Sequence, residues 1–96
     1  MPKSAGWGRD LYVAKSGEFT KVGRSQHVPK RMKELQRGMP FQACTLVALF
    51  PAAGSLELSV HRELEAAGAQ RYNEWFLAPP SHVIRCVAEQ LANLER

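Results

Sequence analysis

The first ordered pattern in the chain is a short apolar run, Leu11-Tyr12-Val13-Ala14. Leu11 to Lys15 reads as a strand closed by a Ser16-Gly17 turn signal. Phe19 to Gly23 reads as its partner, with Phe19, Lys21 and Gly23 on one side and Thr20 and Val22 on the other. So few residues separate the two runs that they predict an antiparallel hairpin. The period then lengthens. Pro29 suits the first turn of a helix, Lys30 to Arg37 are good helix formers, and Gly38 with Pro40 stops them. Met32 and Leu35 form the inward stripe, while Arg31, Lys33, Glu34 and Arg37 face outward or sideways. Ala43 to Phe50 has the composition of a buried third strand, ended by Pro51.

Ser55 is placed to cap a helix running to Ala67, with Gly68 as its stop. Glu57, Val60, His61, Leu64, Ala67 and Gly68 share one face of it. The stretch from Gln70 to Pro80 reads as short and irregular, anchored by Tyr72, Trp75 and Phe76. A last helix runs from about His82 to Leu94, with Val83, Val87, Leu91 and Leu94 inward. The expected fold is α/β of the α+β kind: a small three-stranded antiparallel sheet flanked by helices, in the order strand, strand, helix, strand, helix, helix. Residues 1–9 are expected to form a lead-in and residues 10–96 a single domain.

A length of 96 residues suits one domain with a modest core. No apolar run approaches the ~20 residues of a membrane span, and Met1 to Gly8 lacks the apolar core of a secretion signal. No membrane partner and a cytoplasmic location are therefore expected. Cys44 and Cys86 lie far apart without a Cys-x-x-Cys pair, so both are expected to be small buried hydrophobes. Charge changes the picture more. Residues 1–37 hold nine Lys/Arg against three Asp/Glu, whereas residues 38–96 hold four against six. One end of the domain thus attracts a polyanion, nucleic acid being the natural candidate; the alternative is a basic surface with no partner.

Within the basic part, Tyr12 is followed nine residues later by Lys21-Val22-Gly23-Arg24-Ser25, then by Arg31, and later by Glu57 with His61. Tyr, Lys, Arg and Glu in that order can supply a proton acceptor, two phosphate-facing cations and a metal ligand, which is what cutting a phosphodiester requires. Each residue alone has a plainer reading. Tyr12 suits a core or rim aromatic, Lys21 a solvent-facing strand lysine, Arg31 a surface charge, and Gly23 a bulge or a close backbone approach. Glu57 and His61 are one turn apart on a largely apolar face. Either they form a solvated pair at the core's rim, or the carboxylate has a ligand to hold.

Leu11-Tyr12-Val13, Lys21-Val22-Gly23-Arg24-Ser25, Arg31-Met32-Lys33-Glu34-Leu35, Glu57 with His61, and Asn73-Glu74-Trp75-Phe76 together resemble the GIY-YIG nuclease superfamily. Within it, the similarity is to the short phage and bacterial branch called T5orf172 or MUG113-like. The resemblance spans roughly residues 10 to 90. It implies that Tyr12 activates the attacking water or serves as general base, that Gly23 permits close packing beside the site, and that Arg31 contacts the scissile phosphate. It also implies that Glu57 binds the single metal ion, Mg²⁺ or Mn²⁺, one per site. Asn73 matches a late polar residue, and His61 belongs to the branch pattern as a supporting residue.

Two departures stand out. The first triplet is Asp10-Leu11-Tyr12 rather than Gly-Ile-Tyr, and Lys21 occupies the place of the second tyrosine. A lysine there is expected to lower the pKa of Tyr12, since an unperturbed phenol near ~10 is a poor base at neutral pH. His61 is expected to orient Glu57. Arg24, Lys30, Lys33 and Arg37 are the expected nucleic-acid contacts. The resemblance thus implies a DNA endonuclease, alone, as a homodimer or in a larger phage or host complex. Its alternative is an inactive nuclease-fold module that binds DNA or protein.

Overall fold

The computed structural model describes residues 9–39 and 41–94. Most of the expected lead-in lies outside the described residues. β1 (Asp10–Ser16) and β2 (Phe19–Ser25) form the hairpin that the two closely spaced runs predict, pairing Asp10 with Ser25 and Ser16 with Phe19. The two-residue turn between them places Gly17 at φ +60°, where a side chain is strained. α1 (Val28–Arg37) follows, with Ser25 Oγ accepting the His27 N–H at 3.0 Å just before it. β3 (Thr45–Phe50) pairs antiparallel with β1 and carries a bulge at Val47, opposite the Val13–Ala14 step. A 3-10 turn (Gly54–Leu56) leads into α2 (Glu57–Ala66), and α3 (Pro80–Leu94) closes the fold.

The sheet has five strands rather than three. β4 (Arg71–Tyr72) and β5 (Trp75–Leu77) form a small hairpin from the stretch expected to be irregular, and β5 pairs with β2. The strand order is β3-β1-β2-β5-β4, antiparallel throughout. Strands of two and three residues are too short to show an alternation. Their visible mark is the turn, where Asn73 takes φ +58°, a conformation that asparagine tolerates better than most residues.

Period-two alternation divides the hairpin between two cores. Leu11, Val13 and Val22 face α2 and α3, where they form one core with Val60, Leu64, Val83 and Val87 of those helices and Phe76 of β5. Tyr12 and Ala14 face α1, where they meet Val28, with Met32 and Leu35 partly buried against them. The Thr20 hydroxyl donates to the Ala78 carbonyl at 2.6 Å inside the protein, tying β2 to the start of α3.

Three local expectations are corrected. β3 is an edge strand, so Leu46, Val47 and Leu49 are exposed although their composition suits a buried strand. Ser55 lies inside the 3-10 turn and caps no helix; α2 begins after Leu56 without a side-chain cap. Leu94 is exposed because the last turn of α3 runs past the core. Cys86 is buried and Cys44 only partly so; both are free thiols. Burial and the neighbouring Glu63 push the Cys86 thiol up to about 12, which leaves it protonated and inert. No described helix is long and apolar enough to cross a membrane.

Candidate active site

Strand register puts Tyr12 directly opposite Gly23. The Tyr12 ring lies across the glycine so closely that a Cβ there would fall 2.4 Å from the phenol oxygen and 2.5 Å from Cζ. Any side chain at position 23 would force the ring to shift. Tyr12 is buried, and its hydroxyl faces Arg31 on the first half of α1. Burial raises the phenol above its ordinary value, and the Arg31 guanidinium opposes that rise without cancelling it. The more distant charges of Glu74 and Glu57 add to the rise. Arg31 is held in its charged form first by Tyr12 and then by Glu34, which it meets at 3.3 Å.

Arg31 also lines a cleft of about 340 Å³ between the end of β2 and the start of α1. Arg9, Arg24 and Lys30 share its walls, with Glu34 the acidic residue among them. Four cations around one concavity make a strong anion-attracting field. Of the expected nucleic-acid contacts, Arg24 and Lys30 lie in this cleft. Lys33 and Arg37 are exposed elsewhere on α1 and do not line it.

Glu57 opens α2 and is largely buried, with Arg24 Nε at 3.5 Å from its carboxylate. Its position is set by a clip onto the start of β1. The Gly54 N–H donates to the Arg9 carbonyl at 3.0 Å, and a Cβ on Gly54 would lie 2.9 Å from Arg9. Asp10 Oδ1 accepts the Ala52 N–H at 2.9 Å, holding a residue with φ +58° in the turn after β3. Asp10 therefore fastens the segment that leads to Glu57.

Glu57 offers hard carboxylate oxygens of the kind Mg²⁺ and Mn²⁺ take. Among the described residues, no group of three or more His, Cys, Asp and Glu converges, so no all-protein metal cage is built. A lone carboxylate beside a cationic cleft fits Mg²⁺, which is commonly bound by one or two carboxylates together with waters and substrate phosphates.

The other expected site residues stand apart. Lys21 shares a sheet face with Tyr12, but its ammonium is buried against Glu74 at 2.9 Å and lies 5.9 Å from the Trp75 ring centroid. The cation acting on Tyr12 is Arg31, and the expected tuning by Lys21 is corrected accordingly. His61 is buried with Nε2 2.8 Å from the Val22 carbonyl, not on Glu57. β5 pairs with β2 only as far as Lys21, so beyond that point His61 satisfies the backbone that a strand would otherwise cover. Asn73 sits in the β4–β5 turn.

The sequence alone gave no role to Arg9, Asp10, Gly54 and Glu74. A glycine three residues before the helical glutamate was a visible sign of close packing. Nothing in the spacing marked Glu74 as the partner of Lys21.

Fold and cleft together define a small α+β protein with a buried tyrosine beside a cationic concavity. The chain belongs to the T5orf172 domain family, whose pattern matches residues 11–91. No curated protein and no solved structure matches it.

Proposed function

We propose that this chain is a metal-dependent endonuclease of the GIY-YIG type that hydrolyses phosphodiester bonds in DNA. T5orf172 membership supports a nuclease-like, DNA-related module. The observation that carries the reading is the Tyr12 phenol, held against the Gly23 backbone and facing Arg31, which itself lines the cationic cleft.

Arg9, Arg24 and Lys30 draw the phosphate backbone into the cleft. Arg31 neutralises charge building on the phosphoryl oxygens and holds the Tyr12 hydroxyl in place. Tyr12, as a phenolate that has released its own proton to solvent, accepts a proton from the attacking water. Because burial leaves its pKa high, this role requires added positive charge beside the phenol. Glu57 would hold one Mg²⁺ or Mn²⁺, exchanging Arg24 for the cation. A metal ion bound there supplies the charge that polarises a phosphate and steadies a leaving oxygen. Lys21 keeps the sheet face beside Tyr12 ordered through Glu74 and does not touch the reacting groups.

A second reading is favoured by two observations: the raised Tyr12 pKa and the Arg24–Glu57 pair suit a module that binds DNA without cutting it. Plasmid nicking with and without Mg²⁺, wild type beside Glu57→Ala, separates the two. Cutting that needs both Mg²⁺ and Glu57 supports the nuclease. DNA binding without cutting by either protein supports the binding module.

A further inference from the structure

The α1-facing side of the sheet carries a second cavity. Ser16 pairs with Phe19, and Lys21 pairs with Trp75, so these side chains share the face that holds Tyr12. The cavity, about 240 Å³, is walled by Phe19, Tyr72 and Trp75, with Ser16, Gln42 and Asn73 supplying polar groups. That volume lies below the ~300–1,000 Å³ of drug-sized pockets and suits one flat ring system. Phe19 meets Tyr72 edge-on, with ring centroids 5.4 Å apart, and Tyr72 remains 53 % exposed. Ser16 is 2 % exposed, yet its hydroxyl has no hydrogen-bond partner among the described residues. A buried hydroxyl left unsatisfied is costly unless something else completes it.

Aromatic walls with an unspent hydroxyl and two carboxamides call for a ligand with apolar faces and a polar edge. We propose that this cavity receives an unpaired nucleobase of a nucleic-acid strand whose backbone lies in the cationic cleft. The proposal rests on the reading that the cleft holds phosphates. Ser25 of the cleft pairs with Asp10, and Ser16 of the cavity lies six residues further along β1, about 20 Å, a span that a few nucleotides of one strand can cover. The base must be unpaired, because a stacked duplex hides base faces from side chains while a single strand offers them to aromatic platforms. The substrate class is therefore single-stranded, frayed or branched nucleic acid rather than continuous duplex.

Fluorescence anisotropy with two labelled probes tests this: an oligothymidylate, and an oligomer of equal length with abasic sugars throughout. Wild type is expected to prefer the oligothymidylate by about 10-fold or more, in line with the ~1–3 kcal/mol measured per stacked base. Tyr72→Ala should abolish that preference without changing the salt dependence of binding. Ser16→Ala, which preserves strand packing, should reduce it. Arg24→Ala should weaken both probes alike and flatten the salt slope. Far-UV circular dichroism verifies that each variant is folded. Equal binding of both probes by wild type overturns the base pocket and leaves the cleft reading standing. Absence of binding to either probe overturns both. An unchanged preference in folded Tyr72→Ala and Ser16→Ala overturns the assignment to this cavity.

Discussion

The Tyr12 ring covers Gly23 on the neighbouring strand, leaving no room for a Cβ at position 23. Glycine is needed there for the phenol's sake, since backbone φ at this position is ordinary. Gly23→Ala should destabilise the fold by about 1–3 kcal/mol through overpacking and impair any reaction that uses the phenol. In a Tyr12→Ala background the same substitution should cost little, because the clash is gone. A double-mutant cycle by urea denaturation measures that coupling.

The phenol also makes stability depend on pH. Its folded pKa is raised, with burial the first cause, so the folded state holds this proton more tightly than the unfolded chain. The contribution is fully present below the unfolded phenol's ~10 and is lost as pH climbs from there through the raised folded value. Thermal melts of wild type should fall more steeply across that alkaline window than those of Tyr12→Phe. Parallel curves would show that the phenol is not shifted.

Lys21 and Glu74 form an asymmetric pair, the lysine buried and the glutamate half exposed. Glu74→Ala should therefore cost about 1–3 kcal/mol, because it strands a buried ammonium, whereas Lys21→Met, which keeps the volume, should cost less. The Lys21 hydrogen bond holds the Glu74 carboxyl below its ordinary value. The stabilisation this represents is present above the unfolded glutamate's ~4.3 and disappears as pH falls through the depressed folded value. Acid titration of unfolding, compared between wild type and Glu74→Gln, reads it directly.

Much of this arrangement was legible in the sequence because it depends on local periodicity. The β1–β2 hairpin, the inward Met32 and Leu35 of α1, and the buried Val60-His61-Leu64 stripe of α2 all follow from two- and 3.6-residue spacings. What escaped was set by partners distant in sequence. Edge or centre is a property of the sheet, so β3 looked buried. β4 and β5 are too short to have a pattern, and the Lys21–Glu74 and Arg24–Glu57 pairs exist only once those strands and the clipped turn are in place.

His61 shows the same limit. One helical turn from Glu57, it invited a role beside the proposed metal ligand, yet it bonds the Val22 carbonyl inside the core. His61→Leu should lower stability by about 1–3 kcal/mol by orphaning that carbonyl, while leaving the proposed Mg²⁺ dependence of cleavage by the folded protein unchanged. A shifted metal requirement in folded His61→Leu would return the residue to the active site.

The most direct measurement is the single-turnover rate of Mg²⁺-dependent DNA cleavage by wild type and Tyr12→Phe, with DNA affinity determined in parallel. Tyr12→Phe keeps the ring over Gly23 and removes only the hydroxyl facing Arg31. A rate lower by about 100-fold or more at unchanged affinity is the predicted result, in the range of general acid–base contributions. Equal rates for the two proteins would contradict the assignment of Tyr12 as the base.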